Sequence, residues 1–575
     1  MSRLVVIVPL LVTIAACAPS DPVGEQPGEG AAQAGPRFVD TAAEAGLSVQ
    51  APPRRAMEHI LESTGSGVAV ADYDKDGDDD LYFPRQPSLA DRLAGRPGPA
   101  NELYRNNGDG TFTEVGEQAG VALRAWSNAA YFADYDNDGD QDLFITAWGG
   151  NTFFWNNGDG TFTDITAVAG VAGPSNGWSS AAAFGDLDQD GFLDLFVVNY
   201  CDYDPAQPTP SVIQAVWRGL EVFFGPLGLP GQADLIYHNN GDGTFTDISQ
   251  DAGIADQPKL YGLGLVMQDL DRDQDLDMYV ANDLVVNQLW RNDGLLPLVE
   301  VGAMSGTATN ENAAEQAGMG VDAADYDDDG FIDLFVTNFS HDWNTLYIGE
   351  GGMRFRDGTF EAGLSDSWNV MGWGAKFLDF DHDGRLDLGI ANGHIYPAVD
   401  EHPQIGSTYR QPNQLLRNTG DGKFEPVADA AWNNQNSSRG LALIDYDMDG
   451  DQDVVITHVD APPSLLRNDG GNEGNWISIH LEGTESNRDG IGARLEFEIG
   501  DRTLIRLVNP YGSFQSQSGI AVHAGIGDAD YVDKLTVHWP SVRSFNYEDL
   551  QANRFYTIRE QSGITNIREP AGGTP

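Results

Sequence analysis

Along the chain, short apolar runs that end on an aspartate alternate with strongly polar nine-residue stretches, and a second apolar run follows each stretch at once. The leading runs read SGVAVAD, NAAYFAD, SSAAAFGD, MGVDAAD, WGAKFLD and RGLALID; the trailing runs read LYF, LFIT, LFVVN, MYVAN, LFVTN, LGIAN and VVITH. Runs of this length, rich in β-branched and aromatic residues and lacking a 3.6-residue period, predict buried strands rather than helices. A turn cassette then recurs as LYRNNGDGTFTEV, FFWNNGDGTFTDI, LIYHNNGDGTFTDI and LLRNTGDGKFEPV. Asn-Gly and Asp-Gly between apolar runs supply the positive φ angles of a tight hairpin. Each repeat therefore predicts four short strands, the pattern of one propeller blade.

The polar stretches are DYDKDGDDD at 72, DYDNDGDQD at 134, DLDQDGFLD at 186, DLDRDQDLD at 269, DYDDDGFID at 325, DFDHDGRLD at 379 and DYDMDGDQD at 445. Short carboxylates at alternate positions followed by a glycine turn make an oxygen cage for Ca²⁺. An EF-hand would need a glutamate at the twelfth position and a following helix. Here the ninth position is Asp and a strand follows, so the loops are of another kind. The expected ligands are the side chains at positions 1, 3, 5 and 9, with the carbonyl at position 7. They are Asp72, Asp74, Asp76 and Asp80; Asp134, Asp136, Asp138 and Asp142; Asp186, Asp188, Asp190 and Asp194; Asp269, Asp271, Asp273 and Asp277; Asp325, Asp327, Asp329 and Asp333; Asp379, Asp381, Asp383 and Asp387; and Asp445, Asp447, Asp449 and Asp453. Carboxylates without His or Cys favour Ca²⁺ over zinc or copper, and up to seven ions are expected. In the fourth loop Gln274 replaces the turn glycine, which predicts backbone strain and the weakest site there.

An unpaired copy of the cassette's last strand, FVDTAAEAGL at 38–47, precedes the first loop, while the repeat after the seventh loop lacks it. The N-terminal copy is expected to complete the last blade and close the ring, which removes exposed sheet edges. At this level the cassettes resemble FG-GAP/VCBS repeats, as in the integrin α-subunit propeller. GPLGLPGQADLIYHNNGDGTF, MGVDAADYDDDGFIDLFVTNFS, ANGHIYP and SRGLALIDYDMDGDQD resemble the bacterial relatives of cartilage acidic protein. WISIHLEGTESNRDGIGARLEFEIG, SFQSQSG and VDKLTVHWPS resemble the ASPIC/UnbV domain that follows the propeller in that family. The resemblance implies an all-β chain: a seven-bladed integrin-like β-propeller with calcium loops over 37–470, then a small C-terminal β-sandwich-like domain over 475–560. Residues 561–575 read as a disordered tail.

Composition narrows the partners. The 575 residues carry 88 acidic and 32 basic side chains, a net charge of −56, and the seven loops hold 34 of the acids. No basic patch for nucleic acid or anionic lipid is expected in that field. The N-terminus, MSRLVVIVPLLVTIAAC, has the basic start and apolar length of a signal peptide, and small residues before Cys17 resemble a bacterial lipobox. Residues 1–17 then form a lipoprotein signal with a lipidated Cys17, and 18–36, rich in Gly, Pro and Ala, a flexible tether. Ala18 resembles the outer-membrane sorting signal of enteric bacteria, so an extracytoplasmic lipoprotein at the outer membrane or cell surface is expected. The other cysteine, Cys201, is expected to be a buried small hydrophobe.

Insertions at 201–231, 304–316 and 393–412 interrupt the period and are the expected recognition surfaces, although their aromatics also suit pinning the loops to the scaffold. Trp126, Trp178 and Trp373 recur before their loops and are expected in the core. The cluster Asn487–Arg494 reads as a surface turn. No GxSxG, HExxH, Walker A or CxxC pattern occurs. The favoured function is binding of an extracytoplasmic protein or glycan. The alternative is an enzyme acting on a polysaccharide or similar substrate through the insertions, using spare carboxylates such as Asp400 and Glu401 beside His402.

Overall fold

The structure is a computed structural model that describes residues 37–50, 57–205, 215–223, 225–470 and 474–571. Cys17 and the expected signal and tether segments, residues 1–36, lie outside the described residues. Seven four-stranded antiparallel sheets follow one another between Phe38 and Asn468. Within each, the run before an acidic loop is the first strand and the run after it the second, as in Ser127–Ala133 and Asp142–Ala147. The cassette supplies the third and fourth, as in Thr152–Asn156 and Phe162–Asp164. Phe38–Asp40 pairs with Ser464–Asn468 and so gives the seventh sheet its fourth strand, as the unpaired copy predicts. The first strands pack side by side in chain order, and Ser438–Ile444 of the seventh sheet meets Ala69–Ala71 of the first, which closes the ring. Ser127–Ala133 and Ser179–Gly185 are buried along their whole length and built of small residues, because sheets flank them on both sides and the axis crowds them. The segments after three of the fourth strands are single helical turns, Gly116–Ala119, Thr166–Ala169 and Gly302–Ser305, each ended by a left-handed glycine.

Beyond the ring, two four-stranded sheets form the C-terminal domain. Asn475–Glu482 runs parallel to Arg554–Arg559, and Ile477, Ile479, Leu495, Phe497, Leu535 and Val537 share one core with residues of the second to fourth ring sheets. The expected disordered tail is corrected in part. Gly563–Arg568 is a strand paired with Arg554–Arg559, and Arg568 Nη2 reaches Asp78 at 2.9 Å. Alternation in GITNIR is weak and its side chains are largely exposed, so the strand is held by backbone pairing that hydrophobic pattern does not reveal.

Trp126, Trp178 and Trp373 are buried, at 1%, 0% and 2% exposure. Cys201 is buried beside Trp178 and Tyr200 in an aromatic cluster on the face opposite the acidic loops. No helix among the described residues is long and apolar enough to cross a membrane.

Candidate functional site

All seven acidic loops share one backbone. The fourth position is left-handed in each, with φ between 56° and 70°, and the sixth has φ between 78° and 98°. Six of the sixth positions are glycine; Gln274 takes φ 78° in the fourth loop. The wrap lets the first Asp accept the amide of the sixth residue in every loop, from 2.6 Å for Gly139 to Asp134 to 3.1 Å for Gln274 to Asp269. The ninth Asp is tied to the next sheet strand: Oδ1 accepts a third-strand amide at 2.7–3.0 Å in all seven sheets.

In Asp72, Asp186 and Asp269 the second oxygen also accepts a loop amide, whereas in the other four loops it is left over. Oδ1 of Asp134, Asp325, Asp379 and Asp445 is buried without a hydrogen-bond partner, as are Oδ1 of Asp74, Asp271 and Asp447 and Oδ2 of Asp142. Carboxylate oxygens from Asp72, Asp74 and Asp80 lie within 4.8 Å of one another, and so do those of Asp134, Asp136 and Asp142, of Asp186, Asp188 and Asp190, and of Asp269, Asp271 and Asp273. Orphaned buried acceptors that converge with no donor between them fit a hard cation. Electrostatics agree. Burial, reinforced by the neighbouring aspartates, pushes Asp72 up to about 6 and Asp80 to about 9, and burial raises Asp325 to about 7. Asp142, Asp277, Asp333, Asp387, Asp445 and Asp453 are raised well above the ordinary value by burial and by carboxylates of their own loops. Such clusters ionise together only around a cation.

The third strand adds donors that the loop pattern does not show. Trp155 Nε1 donates to Asp136 at 3.1 Å, and Arg417 pairs with Asp381. His238 Nδ1 lies 3.1 Å from Asp194 and 3.5 Å from Asp188. Each stands directly before the cassette Asn that recurs in FFWNN, LIYHNN and LLRNT, the signal that could have found them. The Asn itself crosses to the preceding sheet. Its Nδ2 donates to the carbonyl at loop position 2 at 2.8–2.9 Å in six of seven junctions: Asn106 to Tyr446, Asn156 to Tyr73, Asn239 to Tyr135, Asn292 to Leu187, Asn418 to Tyr326 and Asn468 to Phe380. Gly349 occupies the seventh place.

The C-terminal domain covers the loop face. Arg568 donates to Gly77, Arg488 N to Asn137, and Arg502 to Asp383 and Gly384 while pairing with Asp328. Gly191 packs on Glu485, Leu276 on Gly492 and Gly450 on Trp476, so every loop is touched. The cluster Asn487–Arg494 is corrected from a surface turn to a docking element. Asn487 is fully buried, and Asp489 accepts from Asp134 N at 2.9 Å and Gln141 Nε2 at 2.7 Å. Its polarity serves a hydrogen-bonded interface, which composition alone cannot distinguish from solvent exposure.

Residues 508–521 of the same domain run into the centre of the ring. Ser513 exchanges backbone hydrogen bonds with Val321, and Gln517 with Val68 and Val70. The Gln517 amide closes on Phe132 N and O, Gly519 N donates to Leu443, and Lys376, paired with Asp322, donates to the Tyr511 carbonyl. Five of the seven first strands are thus bonded to one segment. Phe514 at its tip is fully buried against Trp373, ring centres 4.7 Å apart. A Cβ at Gly67 would overlap the Gln515 carbonyl and one at Gly440 would crowd Ser516, so SGVAV and RGLAL carry glycine where the plug passes.

The opposite face holds the insertions. Trp217 packs on Phe339, His341, His394 and Tyr396, and Phe223 on Tyr396, so these aromatics pin the 201–231 and 393–412 segments together. Asp400 accepts from Tyr409 N at 2.8 Å and His402 contacts Gln404, which places both in loop-holding roles. Beside them lies a groove of about 370 Å³, lined by Gln86, Trp126, Tyr409, His458 and Asp460. Trp126 Nε1 and Asp460 Oδ1 have no hydrogen-bond partner within the protein.

Comparison with known proteins places this arrangement. Residues 89–145, 134–197, 269–336, 325–390 and 400–456, half of the chain, match the FG-GAP-like repeat family, and 483–565 match the ASPIC and UnbV family. Cartilage acidic protein 1 of Homo sapiens is 23% identical over 355 residues, 60% of this chain and 50% of that protein. Its Xenopus tropicalis counterpart is 24% identical over 282 residues, 47% of this chain and 40% of that protein. The chain thus spans about half the length of the curated relatives it matches. Among solved structures, an Agrocybe aegerita lectin that recognises non-reducing terminal N-acetylglucosamine is similar at 16% identity with a TM-score of 0.39, over 69% of this chain and 87% of the lectin.

Proposed function

We propose, for a chain that belongs to the FG-GAP-like repeat family and carries an ASPIC and UnbV domain, a calcium-stabilised binding disc of seven blades. It is held outside the cytoplasm by a lipid on Cys17 and recognises an extracytoplasmic protein or glycan. The observation that carries the reading is the division of faces. The acidic loops and the central channel are occupied by the C-terminal domain, so Ca²⁺ has a structural role there. The groove on the opposite face, where Met57, Phe83 and Trp126 meet Gln86, His458 and Asp460, has the mixed apolar and polar composition of a recognition site. Rigid positioning of that face follows from the loops, the inter-sheet asparagines and the plug beneath it.

The test is a glycan array together with a pull-down from cell envelope extract, using the purified chain and its Asp460→Asn and Gln86→Ala variants. Capture by the native chain that both substitutions weaken supports the groove. Capture that neither alters moves recognition elsewhere. Product released from a polysaccharide by the native chain would support the enzyme instead.

A further inference from the structure

A second kind of metal chemistry stands where the C-terminal domain meets the sixth and seventh loops. His382, fourth residue of the sixth loop, is fully buried. Its Nδ1 donates to the Gly474 carbonyl at 3.3 Å, which leaves Nε2 as the bare lone pair, and Nε2 is buried without a hydrogen-bond partner. His523, on the C-terminal strand Val522–Gly527, also has a buried Nε2 with no partner, and the two imidazole centres are 4.9 Å apart. The Asp451 carboxylate, 1% exposed, comes within 3.6 Å of His382 Nε2. That separation is too long for a hydrogen bond. It is close to the spacing of about 3.4 Å between two donors that share one tetrahedral ion at about 2.0–2.1 Å each.

The surroundings hold these groups in place. Gly527 N donates to the His382 carbonyl at 2.8 Å, and Gly525 N to Asp379 Oδ2 at 3.0 Å. A Cβ at Gly474 or Gly525 would overlap the His382 backbone, so both glycines permit the approach. Trp476 stacks on His523 with 26° between the rings and lies over Gly450 of the seventh loop. A cavity of about 160 Å³, lined in part by Asp451 and His523, adjoins the cluster and leaves room for a water as a fourth ligand. A backbone carbonyl fixing the tautomer of a ligating His is the usual outer partner of a bound metal.

We propose that His382 of the sixth loop, Asp451 of the seventh and His523 of the C-terminal domain form a site for one first-row divalent ion of the Zn²⁺ class, built from side chains that the loops' calcium ligand sets do not use, that clasps the C-terminal domain to the ring. Two imidazoles and a carboxylate favour such an ion over Ca²⁺. The inference does not depend on what the opposite face binds.

The experiment uses the purified chain freed of metal and then saturated with Ca²⁺, so that the loops do not compete. It is titrated with Co²⁺ as a visible probe. One Co²⁺ per chain with the intense visible absorption of a four-coordinate nitrogen and oxygen site is expected. His523→Ala, outside the loops, should abolish that absorption without changing calcium content, and His382→Asn should abolish it as well; Asn tolerates the left-handed backbone of position 382. A weak six-coordinate spectrum, the same in native and variant chains, or absorption removed by added Ca²⁺, overturns the proposal. X-ray absorption on the Zn²⁺-loaded native chain needs no variant to fold. Two imidazoles in its ligand shell support the site, and an all-oxygen shell contradicts it.

Discussion

The side-chain amide of Asn156 donates to the backbone carbonyl of Tyr73, 2.9 Å away across the seam between the second and first sheets. The same amide reaches the Gln141 carbonyl at 3.1 Å, and Asn156 Oδ1 receives Gly158 N at 3.1 Å. One buried residue thereby ties a hairpin turn, its own acidic loop and the neighbouring loop.

Asn156→Ala leaves the buried Tyr73 carbonyl and the half-buried Gln141 carbonyl without this donor and is expected to cost about 1–3 kcal/mol. Urea unfolding of native and variant chains measures it. A change below about 0.5 kcal/mol would show that the seam is held by the apolar contacts alone.

Gln274→Gly is expected to stabilise the fourth loop by about 1 kcal/mol, since Gln274 pays for a φ of 78° that glycine adopts freely. Its six counterparts are already glycine. A raised melting temperature and tighter calcium binding at one site are the expected readouts; an unchanged or lower melting temperature would count against strain at this position.

Phe514→Ala should destabilise the chain by about 3–5 kcal/mol, because it empties the tip of the plug against Trp373. Met304→Ala, at 86% exposure on an insertion, should change stability by less than about 0.5 kcal/mol. Equal effects of the two, compared by denaturant unfolding, would mean that the plug adds nothing to the ring.

The raised loop carboxylates set a pH dependence for the calcium-free chain. An Asp whose folded value lies above its ordinary 3.8 binds more protons folded than unfolded, so stability falls as pH rises. With Asp72 at about 6, Asp325 at about 7 and Asp80 at about 9, the loss should run from about pH 4 to about pH 9. Saturating Ca²⁺, which displaces those protons, should abolish the loss. Melts in EGTA across that range test it, and a calcium-free chain that gains stability with pH would contradict the assignment.

The ring was legible from the sequence because each strand is bounded by a chemical marker. Asp opens the loop, Gly turns it and Asn-Gly closes the hairpin, so even the displaced strand at Phe38 could be assigned to the seventh sheet. What escaped was contact between distant segments. Asn106 reads as a turn residue, yet its amide reaches Tyr446, 340 positions away. SFQSQSG is polar and short and has no period, so nothing in it states that Gln517 satisfies Phe132 inside the channel. Polar residues buried by hydrogen bonding look like surface in composition, which is why Asp489 read as a turn.

Calcium content by mass spectrometry on the purified chain, paired with thermal melts before and after chelation, tests directly whether the loops hold Ca²⁺. Close to seven Ca²⁺ per chain and a large fall in melting temperature when they are removed are expected. Few or no bound ions with an unchanged melt would contradict this, and would leave the buried, partnerless oxygens of Asp134, Asp325 and Asp445 as protonated acids rather than ligands.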